Sequence, residues 1–146
     1  MTLKGTAVET EYGSGLRAGD FFFLSAVDAA EEDGSSVCRD NRERILFCLK
    51  KLQDVLVQAD GSLDCLVQLR FYAASEIRLT RQEVLDVLSE VILDPLPSVS
   101  VIPSGDVPGG LMADGTAVIL SESTGCEGCK KKWMEDAEGY SRNPYR

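Results

Sequence analysis

The stretch Leu63-Asp-Cys-Leu-Val-Gln-Leu-Arg-Phe-Tyr-Ala-Ala74 decides the fold class. Within it Leu66, Gln68, Arg70 and Tyr72 alternate with Val67, Leu69, Phe71 and Ala73. A period of two is that of a β-strand, whose successive side chains point to opposite faces. The second set is apolar throughout, so one face of this strand is predicted to be well buried.

On both sides of that strand the period changes. Upstream, Asp40 and Glu43 form a capping box. Ile45, Leu49, Leu52, Leu56 and Ala59 follow at steps of four, three, four and three, which is one helical face, and Asp60-Gly61 ends it. Downstream, Thr80 and Glu83 repeat the capping box. The helix they open is predicted to bury Val84, Leu88 and Val91, with Leu85 and Ile92 beside them, until Asp94-Pro95 stops it.

Farther out, Phe21–Ala26 (FFFLSA) reads as a compact buried strand, and Lys4–Val8 as a short extended piece. Pro97–Ile102 reads as a strand, and the stretch 111–120 holds a last one, strongest at Thr116–Leu120. Glu11–Asp20, with Gly13, Gly15 and Gly19, reads as a turn; Asp28–Ser36 and Ser104–Gly110 read as loops. The order strand, strand, helix, strand, helix, strand, strand predicts an α+β domain, a mixed sheet with two helices packed on one face. Nothing remains to cover the other face, where FFFLSA and VQLRFY side chains would emerge. An apolar sheet face of that size predicts self-association.

Composition narrows the function. The 146 residues make one domain of ordinary size, and 44 % apolar content excludes wholesale disorder. A net charge of -9 repels polyphosphate, so nucleic acid is not an expected partner. There is no histidine, which removes the usual base near neutral pH, every Ser/His or Cys/His couple and most catalytic zinc sites. No apolar run approaches the roughly 20 residues of a membrane span, and no secretory or lipidation signal is visible, so a cytoplasmic location without membrane contact is expected. The five cysteines, Cys38, Cys48, Cys65, Cys126 and Cys129, are scattered and odd in number, which reads as reduced thiols.

Three segments carry a family resemblance. Tyr12-Gly-Ser-Gly-Leu-Arg-Ala-Gly-Asp-Phe-Phe-Phe-Leu-Ser25 resembles the opening of the Rid/YjgF proteins, the reactive-intermediate deaminases. QADGSLDCLVQLRFY (58–72) is similar to the family's central helix end, turn and strand, and PSVSVIPSGDVP (97–108) fits the spacing of its signature. Together they span roughly residues 5–120, leaving 121–146 as an appended extension. The resemblance implies a chorismate-mutase-like α+β fold and a homotrimer with small-molecule clefts between subunits. It also implies hydrolysis of 2-enamines and 2-imines without metal or organic cofactor.

In that chemistry an arginine grips the substrate carboxylate bidentately, and a positioned water attacks the iminium carbon. Aligned on Pro97, the arginine position is Val99, whose isopropyl group cannot hold a carboxylate. Ordinary 2-imino acid deamination is therefore not expected. The family's acidic residue falls near Asp114–Thr116, with Thr116 at the matched position and Asp114 reached by a slip of register. Tyr12 matches the family's cleft-lining tyrosine.

The expected catalytic set is thus Tyr12, Ser100, Asp114 and Thr116, and the expected substrate-binding set Val99, Ser98, Arg70 and Arg17. Each has a plainer reading. Tyr12 could be a rim residue, Arg70 and Arg17 solvated or subunit-bridging cations, and Val99 a packed core residue. Two functions stand at this point: an altered enzyme acting on an imine, enamine or related amino-derived intermediate, and a non-catalytic trimer that binds a metabolite or docks a partner. The Cys126-Glu-Gly-Cys129 pair, followed by Lys130-Lys131-Lys132-Trp133, opens a third reading in which the extension is the functional part. A lone CxxC supplies only two of the four ligands a structural zinc needs, so no metal is expected.

Overall fold

The computed structural model describes residues 5–120. The expected extension at 121–146, with Cys126, Cys129 and the lysine run, lies outside the described residues. Six strands form one sheet. They are β1 (Thr6–Glu9), β2 (Ser14–Ala18), β3 (Phe21–Asp28), β4 (Leu66–Ala73), β5 (Ser98–Pro103) and β6 (Leu111–Val118). Helix α1 covers Asn41–Gln58 and α2 covers Arg81–Val91. The sheet order is β1-β2-β3-β6-β4-β5. All neighbours are antiparallel except β4 and β5, the pair that α2 connects.

Both helices lie on one face, α1 against β3 and β6 and α2 against β5. Between helices and sheet sits the core, built on Phe22, Phe71, Ile45, Leu52, Leu69 and Leu88. Each helix starts where its cap is. Asp40 accepts the Glu43 N–H at 2.8 Å, although the Glu43 carboxylate reaches the Arg39 N–H instead of closing the box on Asp40. At Thr80 the box closes in both directions.

Four local expectations are corrected. The stretch read as a turn contains β2. Its glycine is there for packing, since a Cβ on Gly15 would lie 2.3 Å from Cζ of Phe22. The aromatic run is not buried throughout: Phe22 and Leu24 enter the core, while Phe21 is 52 % and Phe23 47 % exposed. In β4 the register against β6 shifts between Leu66 and Gln68. That irregularity turns Leu66 into the core and leaves Val67 exposed, so the strict alternation begins only at Gln68. In α2, Val87 is buried and Val91 exposed. The helix ends at Val91, and the extended Ile92 beyond it takes the buried place.

The cysteines also divide. Cys48 is buried and free, Cys38 is partly buried and free, and Cys65 is disulfide-bonded, against the expectation of reduced thiols throughout. Burial pushes the Cys48 thiol far up in pKa. No helix among the described residues is long and apolar enough to cross a membrane.

Candidate functional site

The outer face of the sheet, opposite the helices, carries two kinds of surface. Over β5, β4 and β6 it is polar. The register sets Ser98 beside Gln68 and Gln68 beside Thr116; the next row outward sets Ser100 beside Arg70 and Arg70 beside Asp114. With strands about 4.8 Å apart and alternate residues about 7 Å apart, these six side chains form one compact patch. Four of them are hydrogen-bonded in pairs: Arg70 Nε donates to Asp114 Oδ1 at 2.7 Å, Arg70 Nη2 to Asp114 Oδ2 at 3.2 Å, and Thr116 Oγ1 to Gln68 Oε1 at 3.2 Å. Tyr72, the next outward residue of β4, donates its hydroxyl to Asp114 Oδ2 at 3.0 Å.

The Asp114 side chain is 15 % exposed and that of Arg70 45 %. The carboxylate raises the Arg70 pKa further, through the hydrogen bond first and the charge second. Tyr72 is also raised, by burial and then by its bond to Asp114, so it stays a phenol and a donor at neutral pH. A guanidinium has five N–H donors; two go to Asp114, and three remain for a ligand.

Over β2 and β3 the same face is apolar. Leu16, Phe21 and Phe23 are each about half exposed, and the two phenylalanine rings stack with centroids 6.2 Å apart. Phe23 lies directly beside Thr116, so the apolar surface adjoins the polar patch. A depression of about 310 Å³ lined by Ser14, Leu16, Phe23 and Ser25 marks it.

Of the residues singled out in the sequence, Ser98, Ser100, Arg70, Asp114 and Thr116 are thus brought together. Three are not. Val99 points inward, is 5 % exposed and belongs to the core, so it lines no open cleft. Its carbonyl accepts from Arg81 Nε at 3.1 Å. Arg17 lies beside the inward Phe22, and its guanidinium holds the Ile119 and Gly19 carbonyls at 2.7 and 3.2 Å. It ties the β2–β3 hairpin to the end of β6 and cannot share an anion with Arg70 on the other face. Tyr12 is 45 % exposed and lines a separate groove of about 740 Å³ along α1. Gln68 and Tyr72 were missed as site residues, although the alternation in β4 had already placed both on the face of Arg70.

No protein-family model matches the chain, and no curated protein sequence matches it. Solved structures do. A Rid-family protein, YyfA of Yersinia pestis, superposes with a TM-score of 0.64 at 18 % identity, over 80 % of this chain and 100 % of its own. The RidA protein of an Antarctic Psychrobacter gives 0.63 at 13 % identity, over 77 % of this chain and 98 % of its own.

The chain has the Rid/YjgF fold.

Yeast Mmf1 is similar to the same extent, with a TM-score of 0.62 at 18 % identity over 80 % of this chain and 99 % of its own. The expected α+β architecture of the Rid/YjgF proteins, a mixed sheet with both helices on one side, is the one observed. At such identities the likeness is one of fold. The chemistry has to be argued from the patch itself.

Proposed function

We propose that this chain is a Rid-like protein of small-molecule metabolism that binds an imine, enamine or related amino-derived intermediate on the polar patch of its open sheet face. A three-fold assembly of its own copies walls that site. The observation that carries the reading is the Arg70–Asp114 pair, with the Arg70 side chain about half open to solvent beside exposed Phe23 and Leu16. Arg70 offers three unengaged N–H groups to a carboxylate or carbonyl oxygen. Asp114, held by Arg70 and Tyr72, faces the ammonium or iminium end of such a ligand. The serine and threonine hydroxyls can position a water. Burying Leu16, Phe21 and Phe23 against another copy would supply the hydrophobic driving force for assembly.

Ordinary 2-imino acid deamination is not part of the proposal. The resemblance aligns the family's carboxylate-gripping arginine with Val99, a buried residue, and the sequence has no histidine to act as a base. A second reading, a metabolite-binding trimer without catalysis, is favoured by one observation: the only carboxylate in the patch already accepts three hydrogen bonds.

Stable 2-oxo acids stand in for the imino acid in the test. Titrating 2-oxobutyrate into isotope-labelled protein should shift the amide signals of Gln68, Arg70 and Ser100, and Arg70→Leu should abolish the shifts. Unperturbed spectra at millimolar ligand would end the proposal. A semicarbazide-competition assay on oxidase-generated imines then separates the two readings. Acceleration over the uncatalysed rate supports turnover, and none supports binding alone.

A further inference from the structure

Cys65 lies in the short turn that opens β4, is 2 % exposed and packs in the core with Leu63 and Leu66. It is disulfide-bonded, and the proposed ligand site makes no use of it. The chain has five cysteines, of which Cys38 and Cys48 are free. Cys126 and Cys129 are what remains. We propose that Cys65 is stapled to one member of the Cys126-Glu-Gly-Cys129 pair, and that the other member is a resolving thiol that opens the staple by exchange.

Counting is the first argument. Among Cys65, Cys126 and Cys129, a bond at Cys65 uses two cysteines and leaves one thiol. Only Glu127 and Gly128 separate that thiol from the bonded member of the pair. Cys-x-x-Cys is the spacing of motifs that exchange disulfides, because it acidifies one of the two thiols.

Place is the second. The register of β4 against β6 sets Leu66 beside Ala117, so the end of β6 runs past the turn that holds Cys65. A Cβ on Gly61, in the same connection, would be 2.8 Å from Ile119 Cδ1. The chain therefore leaves the sheet beside Cys65. Cys126 is six residues beyond Leu120 and Cys129 nine, an extended reach of about 20 and 30 Å. The two free thiols sit elsewhere: Cys48 donates to the Leu111 carbonyl at the opposite end of β6, and Cys38 to the carbonyl of Ala29, whose N–H meets that same Leu111 oxygen.

Chemistry is the third. The resolving thiolate attacks the sulfur of its neighbour in the pair. The bond to Cys65 breaks, a Cys126–Cys129 disulfide forms, and Cys65 leaves as a thiolate that takes up the proton. One disulfide is present before and one after, so no oxidant or reductant is consumed. Burial shields the Cys65 sulfur from direct attack and makes its thiolate a poor leaving group, so the stapled form is the resting one and exchange is slow. The staple holds β4 at its register irregularity between Leu66 and Gln68, on the strand that carries Arg70 and Tyr72.

Protein purified without reductant and alkylated with N-ethylmaleimide before digestion tests the pairing. Mass spectrometry should find the Cys65 peptide linked to the peptide that carries Cys126 and Cys129, with one maleimide on the latter. Alkylated Cys65, or Cys65 linked to Cys38 or Cys48, would overturn the proposal. A covalent dimer on a non-reducing gel would move the bond between copies and overturn it as well. The resolving thiol is tested by opening the bond in sub-millimolar dithiothreitol. The parent's rate should level off as dithiothreitol is raised, because internal exchange limits it. Of Cys126→Ser and Cys129→Ser, each variant that keeps the Cys65 bond should open about tenfold more slowly or less, at a rate proportional to dithiothreitol. Opening at the parent's rate, or loss of the Cys65 bond in both variants, would refute the exchange.

Discussion

Arg70 and Asp114 face each other directly across β4 and β6, joined by two hydrogen bonds of 2.7 and 3.2 Å. They are 44 residues apart in sequence. The pairing turns two isolated charges into a fixed fork on the open face of the sheet, with the Tyr72 hydroxyl as its third arm.

If that fork is the ligand anchor, its geometry matters more than its charge. Arg70→Lys keeps a cation but loses the planar array of donors. Affinity for 2-oxobutyrate is expected to fall about tenfold or more in Arg70→Lys and Arg70→Leu alike, as read from NMR titrations. Full retention by the lysine variant would mean that simple charge suffices.

Val99 gives an opposite kind of expectation. An arginine placed there would push a guanidinium into the core beneath α2, where burial of an unpaired charge costs several kcal/mol. Val99→Arg is expected to lower stability by about 3 kcal/mol or more in urea denaturation, with no gain in carboxylate binding. A variant with an unchanged midpoint that binds 2-oxo acids more tightly would place the side chain in a cleft instead.

Phe21 and Phe23 are half exposed, so changing both to aspartate removes little packing from the single subunit. The parent is expected to sediment as the proposed trimer and the double variant Phe21→Asp, Phe23→Asp as a monomer with unchanged secondary structure. A parent that is itself monomeric at tens of micromolar would remove the three-fold assembly from the proposed function.

Cys48 sets an alkaline limit on stability. Its folded pKa is raised because burial disfavours the thiolate. A group of that kind contributes full stability below its unfolded pKa and loses it as pH rises above that value. The unfolded value is about 8.5, so stability should begin to fall near pH 9. The slope from this one thiol approaches about 1.4 kcal/mol per pH unit. Urea midpoints at pH 8, 9 and 10 measure it, and Cys48→Ala should flatten the decline. The same burial predicts that iodoacetamide labels native Cys38 well before Cys48.

Gly109 has φ of 69°, and a Cβ there would lie 2.3 Å from the carbonyl carbon of Ala29. Gly109→Ala must move backbone, so a loss of about 2 kcal/mol is expected, measurable by thermal unfolding. An alanine variant as stable as the parent would show that the 108–110 turn is free to shift.

Much of the architecture was legible in the amino-acid order, because its signals are local. The steps of three and four from Ile45 to Ala59 and the caps at Asp40 and Thr80 need only neighbours within a turn or two of helix. The alternation from Gln68 to Ala73 is likewise a property of one strand. Where local signals misled, a partner elsewhere in the chain had overridden them. Gly15 reads as a turn residue until the Phe22 ring is seen lying against it. Val67 reads as core until the shifted register with β6 turns it outward.

The sequence by itself determined the fold class and carried the family resemblance, since periodicity and residue order are properties of one chain. Which side chains meet was decided by the tertiary structure. Register between β4, β5 and β6 put Ser98, Ser100, Arg70, Asp114 and Thr116 on one surface, turned Val99 and Arg17 to the other side, and left Tyr12 at a separate groove. The reason is physical: a strand's period assigns its residues to two faces, but only the hydrogen-bonded pairing of distant strands fixes which residues share a row.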